Sequence, residues 1–176
     1  MKNFVTVGTM DGVHRGHAFI IGELARLARD ARMKSLVLFF DYPPKAVLRG
    51  ALFQSMITTP DERRALILKA GADKAECEHF TPELAVRSHE YFFSLLLSKY
   101  NMGGLLIGKD FAFGKDRMGH LDFLRAQCLA HGIPLVIDDF CREDGHKISS
   151  SVIRKLLSEG HVGAATRFLG RPYNLS

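Results

Sequence analysis

Gly8-Thr9-Met10-Asp11-Gly12-Val13-His14-Arg15-Gly16-His17 is the stretch on which the fold is read. It follows a short apolar run, Phe4, Val5 and Val7, with the pattern of a buried strand. After it, Ile20, Leu24, Leu27, Ala28 and Ala31 recur at helical spacing and predict an amphipathic helix over about 17–32. The stretch is therefore a glycine-rich strand-to-helix turn. A helix N-terminus presents unpaired N–H groups and a partial positive charge, a natural seat for phosphate. Gly8, Gly12 and Gly16 let the backbone approach such a ligand closely. His14 falls just outside the helix and His17 in its first turn, so two imidazoles can donate hydrogen bonds to phosphoryl oxygens. The turn has no Walker lysine, so it is not a P-loop. No third and fourth ligand accompany the two histidines, which argues against zinc and leaves any metal ligand unassigned.

Working outward, Ser35–Phe40 is a continuous apolar run, the pattern of a parallel strand covered on both faces, and Asp41-Tyr42-Pro43-Pro44 ends it. Thr59-Pro60-Asp61-Glu62 starts a helix that runs to about Ala70. A short strand is expected near Lys74–Cys77, and one helix from Thr81 to about Lys99. Gly104–Ile107 and Ile133–Ile137 read as strands, Leu121–Ala130, Ser150–Leu157 and Val162–Leu169 as helices. Solid apolar strands alternating with helices predict an α/β fold with a parallel sheet. Ligands of such sheets bind beyond the strands' carboxyl ends, so chemistry is expected in the loops after Gly8, Phe40 and Ile107.

The 176 residues suit one domain, and 47% hydrophobic with 24% charged residues is a globular composition. No apolar run approaches the ~18 residues of a membrane span. The N-terminus reads as a strand rather than a signal peptide. Cys77, Cys128 and Cys141 have no metal or redox spacing and suit reduced thiols of a cytoplasmic protein. The net charge of +5 is concentrated at the two ends: +4 over residues 1–50 and +3 over 142–176. That split, without an aromatic-interleaved basic stripe, speaks against nucleic acid as the partner.

Two further segments carry chemistry. In Lys147-Ile148-Ser149-Ser150-Ser151-Val152-Ile153-Arg154, three serines gather at a helix start and Arg154 follows one turn later. Hydroxyls there can cap the helix or meet an anion, and a guanidinium suits bidentate phosphate contact. Gly108-Lys109-Asp110-Phe111-Ala112-Phe113-Gly114-Lys115-Asp116-Arg117-Met118-Gly119 joins aromatics, glycines and charges in one loop, suited to a ring and a phosphate.

Asp11-Gly12-Val13-His14-x-Gly16-His17 resembles the His-x-Gly-His signature of the nucleotidylyltransferase superfamily, and in particular its bacterial FAD synthetase (FMN adenylyltransferase) branch. Met10 stands where that family usually has phenylalanine. Ile148 to Arg154 is similar to the family's Ile-Ser-Ser-Thr/Ser-x-x-Arg motif, and the 108–119 loop to its Gly-x-Asp/Asn-Phe-x-Phe-Gly loop. Leu169-Gly170-Arg171-Pro172-Tyr173 resembles its closing segment, so the likeness spans Phe4 to Tyr173.

The resemblance implies a Rossmann-like doubly wound parallel sheet of the nucleotidylyltransferase type. It implies transfer of AMP from ATP to FMN, giving FAD and pyrophosphate, with Mg²⁺ accompanying ATP. His14, His17 and Arg154 are then the catalytic candidates. Gly8, Thr9, Met10, Asp11, Gly12, Gly16, Ser149, Ser150 and Ser151 would hold ATP, and Pro44, Asp110, Phe113 and Arg117 the flavin. Tyr42-Pro43-Pro44 replaces the Pro-His-Pro of many members, so no duty of that histidine is carried over. Residues 1–176 would form a single FMN adenylyltransferase domain, with about 170–176 resembling the linker to a riboflavin kinase domain that is absent. The expected partners are ATP and FMN, without nucleic acid or membrane; the expected state is a cytoplasmic monomer, with or without a separate riboflavin kinase. Three other readings stand beside this one. They are another small-molecule adenylyl- or cytidylyltransferase, a basic nucleic-acid module, and a non-catalytic flavin-nucleotide binder.

Overall fold

The computed structural model describes residues 1–43, 56–115, 118–138 and 148–174. The apolar runs form five strands: β1 (Asn3–Gly8), β2 (Lys34–Phe40), β3 (Lys74–Glu78), β4 (Met102–Gly108) and β5 (Leu135–Asp138). They hydrogen-bond in the order β3-β2-β1-β4-β5, every pair parallel. β1 is central, with Val5 opposite Leu36 on one side and Leu105 on the other. The helices are α1 (Arg15–Asp30), α2 (Pro60–Lys69), α3 (Pro82–Ala85), α4 (His89–Ser98), α5 (Leu121–Ala130), α6 (Ser150–Ser158) and α7 (Val162–Leu169). This is the parallel sheet expected from the alternation, wound on both sides of β1 as the resemblance implies. Among the described residues no helix is long and apolar enough to cross a membrane.

The solid strand runs follow from burial on both faces, since successive side chains point to opposite sides. Val5, Val7, Leu36, Leu38, Leu105 and Ile107 join Phe92, Phe93 and Leu96 of α4 and Leu124 of α5 on one face. Phe4, Val37, Phe39 and Leu106 join Ile21 and Leu24 of α1 and Ile67 of α2 on the other. A third, smaller cluster sets Ile57 against Ile148, Ile153, Ala165 and Leu169. Through it α6 and α7 lie at the same end of the sheet as the segment preceding α2.

The single helix expected over 81–99 is two. Thr81 caps α3 through the Leu84 N–H at 3.2 Å, and Ser88 caps α4 through the Tyr91 N–H at 3.2 Å. The Ser88 hydroxyl offers the chain a new start, which outcompetes a continuous helix through Val86-Arg87. α2 carries the full capping box: Thr59 Oγ1 accepts from the Glu62 N–H, and the Glu62 carboxylate accepts from the Thr59 N–H at 2.8 Å.

The chain builds β1, β2 and β3 outward on one side, then returns to place β4 and β5 on the other. The strand order therefore reverses beside β1, and the crevice opens between the carboxyl ends of β1 and β4. Close approach of β1 and β4 depends on Gly104, which lies in register with Phe4. A Cβ there would sit 2.5 Å from Phe4 Cδ2. Gly104→Ala should cost about 1–3 kcal/mol by overpacking. Urea unfolding checks it, and Phe4→Leu in the same chain should restore part of the loss.

Candidate active site

The carboxyl end of β1 leads into a strained turn. Met10, Gly12 and Val13 have φ of 53°, 77° and 36°. Left-handed backbone is unfavourable for a β-branched residue such as Val13, on the order of 1–3 kcal/mol. Packing holds it: Met10 and Val13 are both buried, and the Val13 N–H donates to the Met10 carbonyl at 3.1 Å. Gly12 is required twice over, by its φ and because a Cβ would meet the Ile57 side chain at 3.0 Å.

His14 is the N-cap of α1, and its Nδ1 accepts from the His17 N–H at 3.3 Å. An acceptor Nδ1 leaves the proton of the neutral ring on Nε2. The two imidazoles stack with centroids 3.7 Å apart and planes 17° from parallel. Burial, reinforced by the nearby Arg171 charge, lowers the His14 pKa to about 4. Burial, then His14 and Arg63, hold His17 well below the usual imidazole range. Both rings are therefore neutral at pH 7 and carry hydrogen-bonding capacity without positive charge. His17 Nδ1 is closed off from solvent and has no partner among the described residues.

Asp11 lies beneath this turn, 1% exposed. Its carboxylate accepts from the Ile57 N–H (3.1 Å), the Thr58 N–H (3.2 Å) and Arg154 Nη1 (2.8 Å). Arg63, fully buried, stands 3.5 Å from the same carboxylate. The Arg63 guanidinium also donates to the carbonyls of Thr9 (2.9 Å), Phe40 (2.7 Å) and Thr58 (3.0 Å). Burial lowers its pKa while Asp11 pulls it back up. One arginine thus ties the ends of β1 and β2 to the start of α2. Sequence reasoning missed it, although a signal existed: Arg63 lies one turn before the buried Ile67, on the face of α2 that should be apolar.

The C-terminal motif reaches the same turn. Ser149 caps α6, and the Ser150 hydroxyl donates to the Asp11 carbonyl at 2.9 Å. Arg154 Nη2 donates to Ser151 Oγ at 3.4 Å. The structure therefore brings His14, His17, Asp11, Ser149, Ser150, Ser151 and Arg154 together. It engages Arg154 with Asp11 rather than leaving its guanidinium unpaired.

The loop after β4 leaves the other side of the crevice. Phe113 pairs with Gly119 in an antiparallel bridge and sits 5.0 Å from Phe92 and 5.6 Å from Phe111, centroid to centroid. Its ring thus also supports the core beneath the loop. Gly114, at φ 73°, packs on the α4 start, where a Cβ would be 2.6 Å from His89 Cα. Asp110 is exposed. At the end of β2, buried Asp41 accepts from the N–H groups of Tyr42 and Phe80 and pairs with His79 Nδ1. Pro44, Arg117 and Lys147 lie outside the described residues.

A family model described as FAD synthetase matches residues 1–152. The chain is 30% identical over 179 residues to a bifunctional riboflavin kinase/FMN adenylyltransferase of Pseudomonas fluorescens, covering 97% of this chain and 55% of that protein. It is 27% identical over 172 residues to an FAD synthetase of Listeria monocytogenes, covering 98% of this chain and 70% of that protein. The chain thus spans about half the length of the bifunctional relative. Among solved structures, one titled as a macrolide-efflux protein from Streptococcus pneumoniae shares the fold. Its TM-score is 0.82 at 24% identity, with 98% of this chain and 58% of that chain covered.

Asp11→Asn leaves Arg63 and Arg154 without their shared counter-charge and should cost about 3–5 kcal/mol in urea unfolding. His14 contributes to acid sensitivity. Its folded pKa of about 4 lies below its ordinary 6.5, so the unfolded chain binds the proton more readily. Stability is full above about pH 6.5 and falls as pH drops toward 4, by on the order of 3 kcal/mol for this group. His14→Asn keeps a capping side chain but removes the titration. Its stability between pH 6.5 and 4 should fall less steeply than that of the parent, by about one proton.

Proposed function

This chain belongs to the FAD synthetase family, and from that premise we propose that it transfers AMP from ATP to FMN, forming FAD and pyrophosphate. The observation that carries the reading is the stacked, neutral His14–His17 pair at the start of α1, with the C-terminal serine–arginine motif docked beside it. A phosphate oxygen of FMN attacks the α-phosphorus of ATP in line. The new P–O bond forms as the bond to the β-phosphate oxygen breaks, and the electron pair leaves with pyrophosphate. The nucleophile is already an anion, so the protein's work is positioning and charge stabilisation.

In this mechanism the α1 N-terminus, His14 Nε2–H and His17 hydrogen-bond the transferring phosphoryl group. Gly8, Thr9, Met10, Gly12 and Gly16 shape the turn around the triphosphate, and Asp11 fixes that turn from below. Ser149, Ser150, Ser151 and Arg154 act on the leaving phosphates, with Arg154 shared between Asp11 and the ligand. Mg²⁺ enters as the counter-ion of ATP. The Asp11 carboxylate already serves Arg63, Arg154 and two amides, so we assign it no metal. The flavin side is the 108–119 loop, with Asp110 and Phe113, at the crevice between β1 and β4; Pro44 and Arg117 complete that assignment from the sequence motif. We further infer a monomeric cytoplasmic protein.

Incubation with MgATP and FMN, followed by identification of the flavin product, tests the reading; FAD and pyrophosphate are expected in equal amounts. His17→Ala should lower kcat by about 30- to 1,000-fold, the loss of one preorganised donor worth roughly 2–4 kcal/mol. An unchanged rate of FAD formation in that variant would overturn the assignment.

A further inference from the structure

Gly170 ends α7 in the left-handed conformation, φ 71°, and turns the chain against the start of α1. A Cβ at Gly170 would lie 3.0 Å from Arg15 Cγ. The next residue, Arg171, is half-buried and reaches under the phosphate turn. Its Nη2 donates to the Gly12 carbonyl at 2.7 Å and its Nη1 to the Val13 carbonyl at 3.1 Å. These carbonyls belong to two of the three residues that hold the turn in left-handed backbone. Tyr173, two residues on, packs against the cluster formed by Ile57, Ile148 and Ile153. The segment leaving α7 is thereby attached to the site at two places.

Peptide planarity makes this contact directional. The carbonyl of one residue and the N–H of the next share a plane and point in opposite directions. Holding the Val13 carbonyl toward Arg171 therefore aims the His14 N–H the other way. A guanidinium grips both carbonyls at once with a rigid fork, whereas an ammonium on a flexible stem cannot fix two acceptors in one geometry.

We propose that Arg171 is a positioning residue for the phosphate turn, its fork on the Gly12 and Val13 carbonyls holding the strained backbone in the form that presents the His14 N–H to a triphosphate. The identity of that anion rests on the adenylyltransferase reading; the grip on the turn does not. Arg171 acts through the backbone and is assigned no contact with the reacting atoms. The same cation adds to the burial that keeps His14 neutral, and His14 is otherwise faced by His17 stacked from α1.

The test compares Arg171→Lys, Arg171→Gln and Gly170→Ala with the parent chain. Loss of a charge-assisted hydrogen bond should lower kcat/KM for ATP by about ten- to a hundredfold in Arg171→Lys and Arg171→Gln, with the KM for FMN within about twofold. Lysine should not rescue. Gly170→Ala, which leaves Arg171 in the chain but strains the turn that delivers it, should show the same pattern more weakly. In ¹H–¹⁵N spectra the amides of Gly12, Val13 and His14 should move in both Arg171 variants. The His14 ring should titrate at higher pH in Arg171→Gln but not in Arg171→Lys, a difference that simple loss of packing would not produce. Unmoved amides at 12–14, or ATP parameters within about twofold of the parent in folded Arg171 variants, would overturn the proposal. Should Arg171→Gln not fold, Arg171→Lys decides by the same two readouts. If the parent forms no FAD, the functional reading fails while the amide shifts and the His14 titration still judge the grip.

Discussion

A single buried carboxylate organises the site. Asp11 is 1% exposed, and an ion that deep is tolerated only when its lone pairs are matched. Two amides from 57–58, the Arg63 guanidinium and the Arg154 guanidinium do so. Each partner comes from a different part of the chain: the approach to α2, α2 itself and α6. Satisfying one charge therefore draws three segments to the end of β1. Arg63 extends the constraint by donating to the carbonyls of Thr9 and Phe40, which cap β1 and β2.

The electrostatic result is a turn poised for an anion. Two arginines offset one aspartate beneath it, a third holds its carbonyls, and the two histidines on it stay neutral because burial and those cations disfavour further positive charge. Neutral imidazoles keep hydrogen-bonding capacity without adding to the cationic field. That suits the proposed substrate, a triphosphate that brings several negative charges. The strain at Val13 belongs to the same logic: backbone bent into left-handed space is stable only where packing and hydrogen bonds over-determine it.

Much of this was legible in the residues. The solid apolar runs of β1, β2 and β4 announce a sheet buried on both faces, and the glycine-rich turn before an amphipathic helix announces the ligand end. The Thr59–Glu62 capping box and the serine-capped α6 were local signals, and local signals survive folding because they depend on neighbours in the chain. The break between α3 and α4 was missed because periodicity runs on across it, while the Ser88 cap acts through one hydroxyl. Arg63 was missed because a charge in an apolar stripe gains meaning only when its distant acceptors are known. Arg171 was read as part of a closing segment, since nothing in the local sequence says which carbonyls a terminal arginine will meet.

The charge distribution shows where the division falls. The sequence by itself determined that positive charge gathers at the two ends of the chain, that the histidines flank a helix start, and that the strands must be parallel and covered. These are consequences of composition and period, which need no long-range information. Only the tertiary structure decided that the two ends meet. Ser150, Arg154 and Arg171 reach the Asp11–Val13 turn across 139 to 159 residues of chain. The physical reason is that β1 is the central strand, so its loop is open to segments from both sides of the sheet. The Asp11 charge, once buried there, is matched by distant cations and not by residues next to it in the chain.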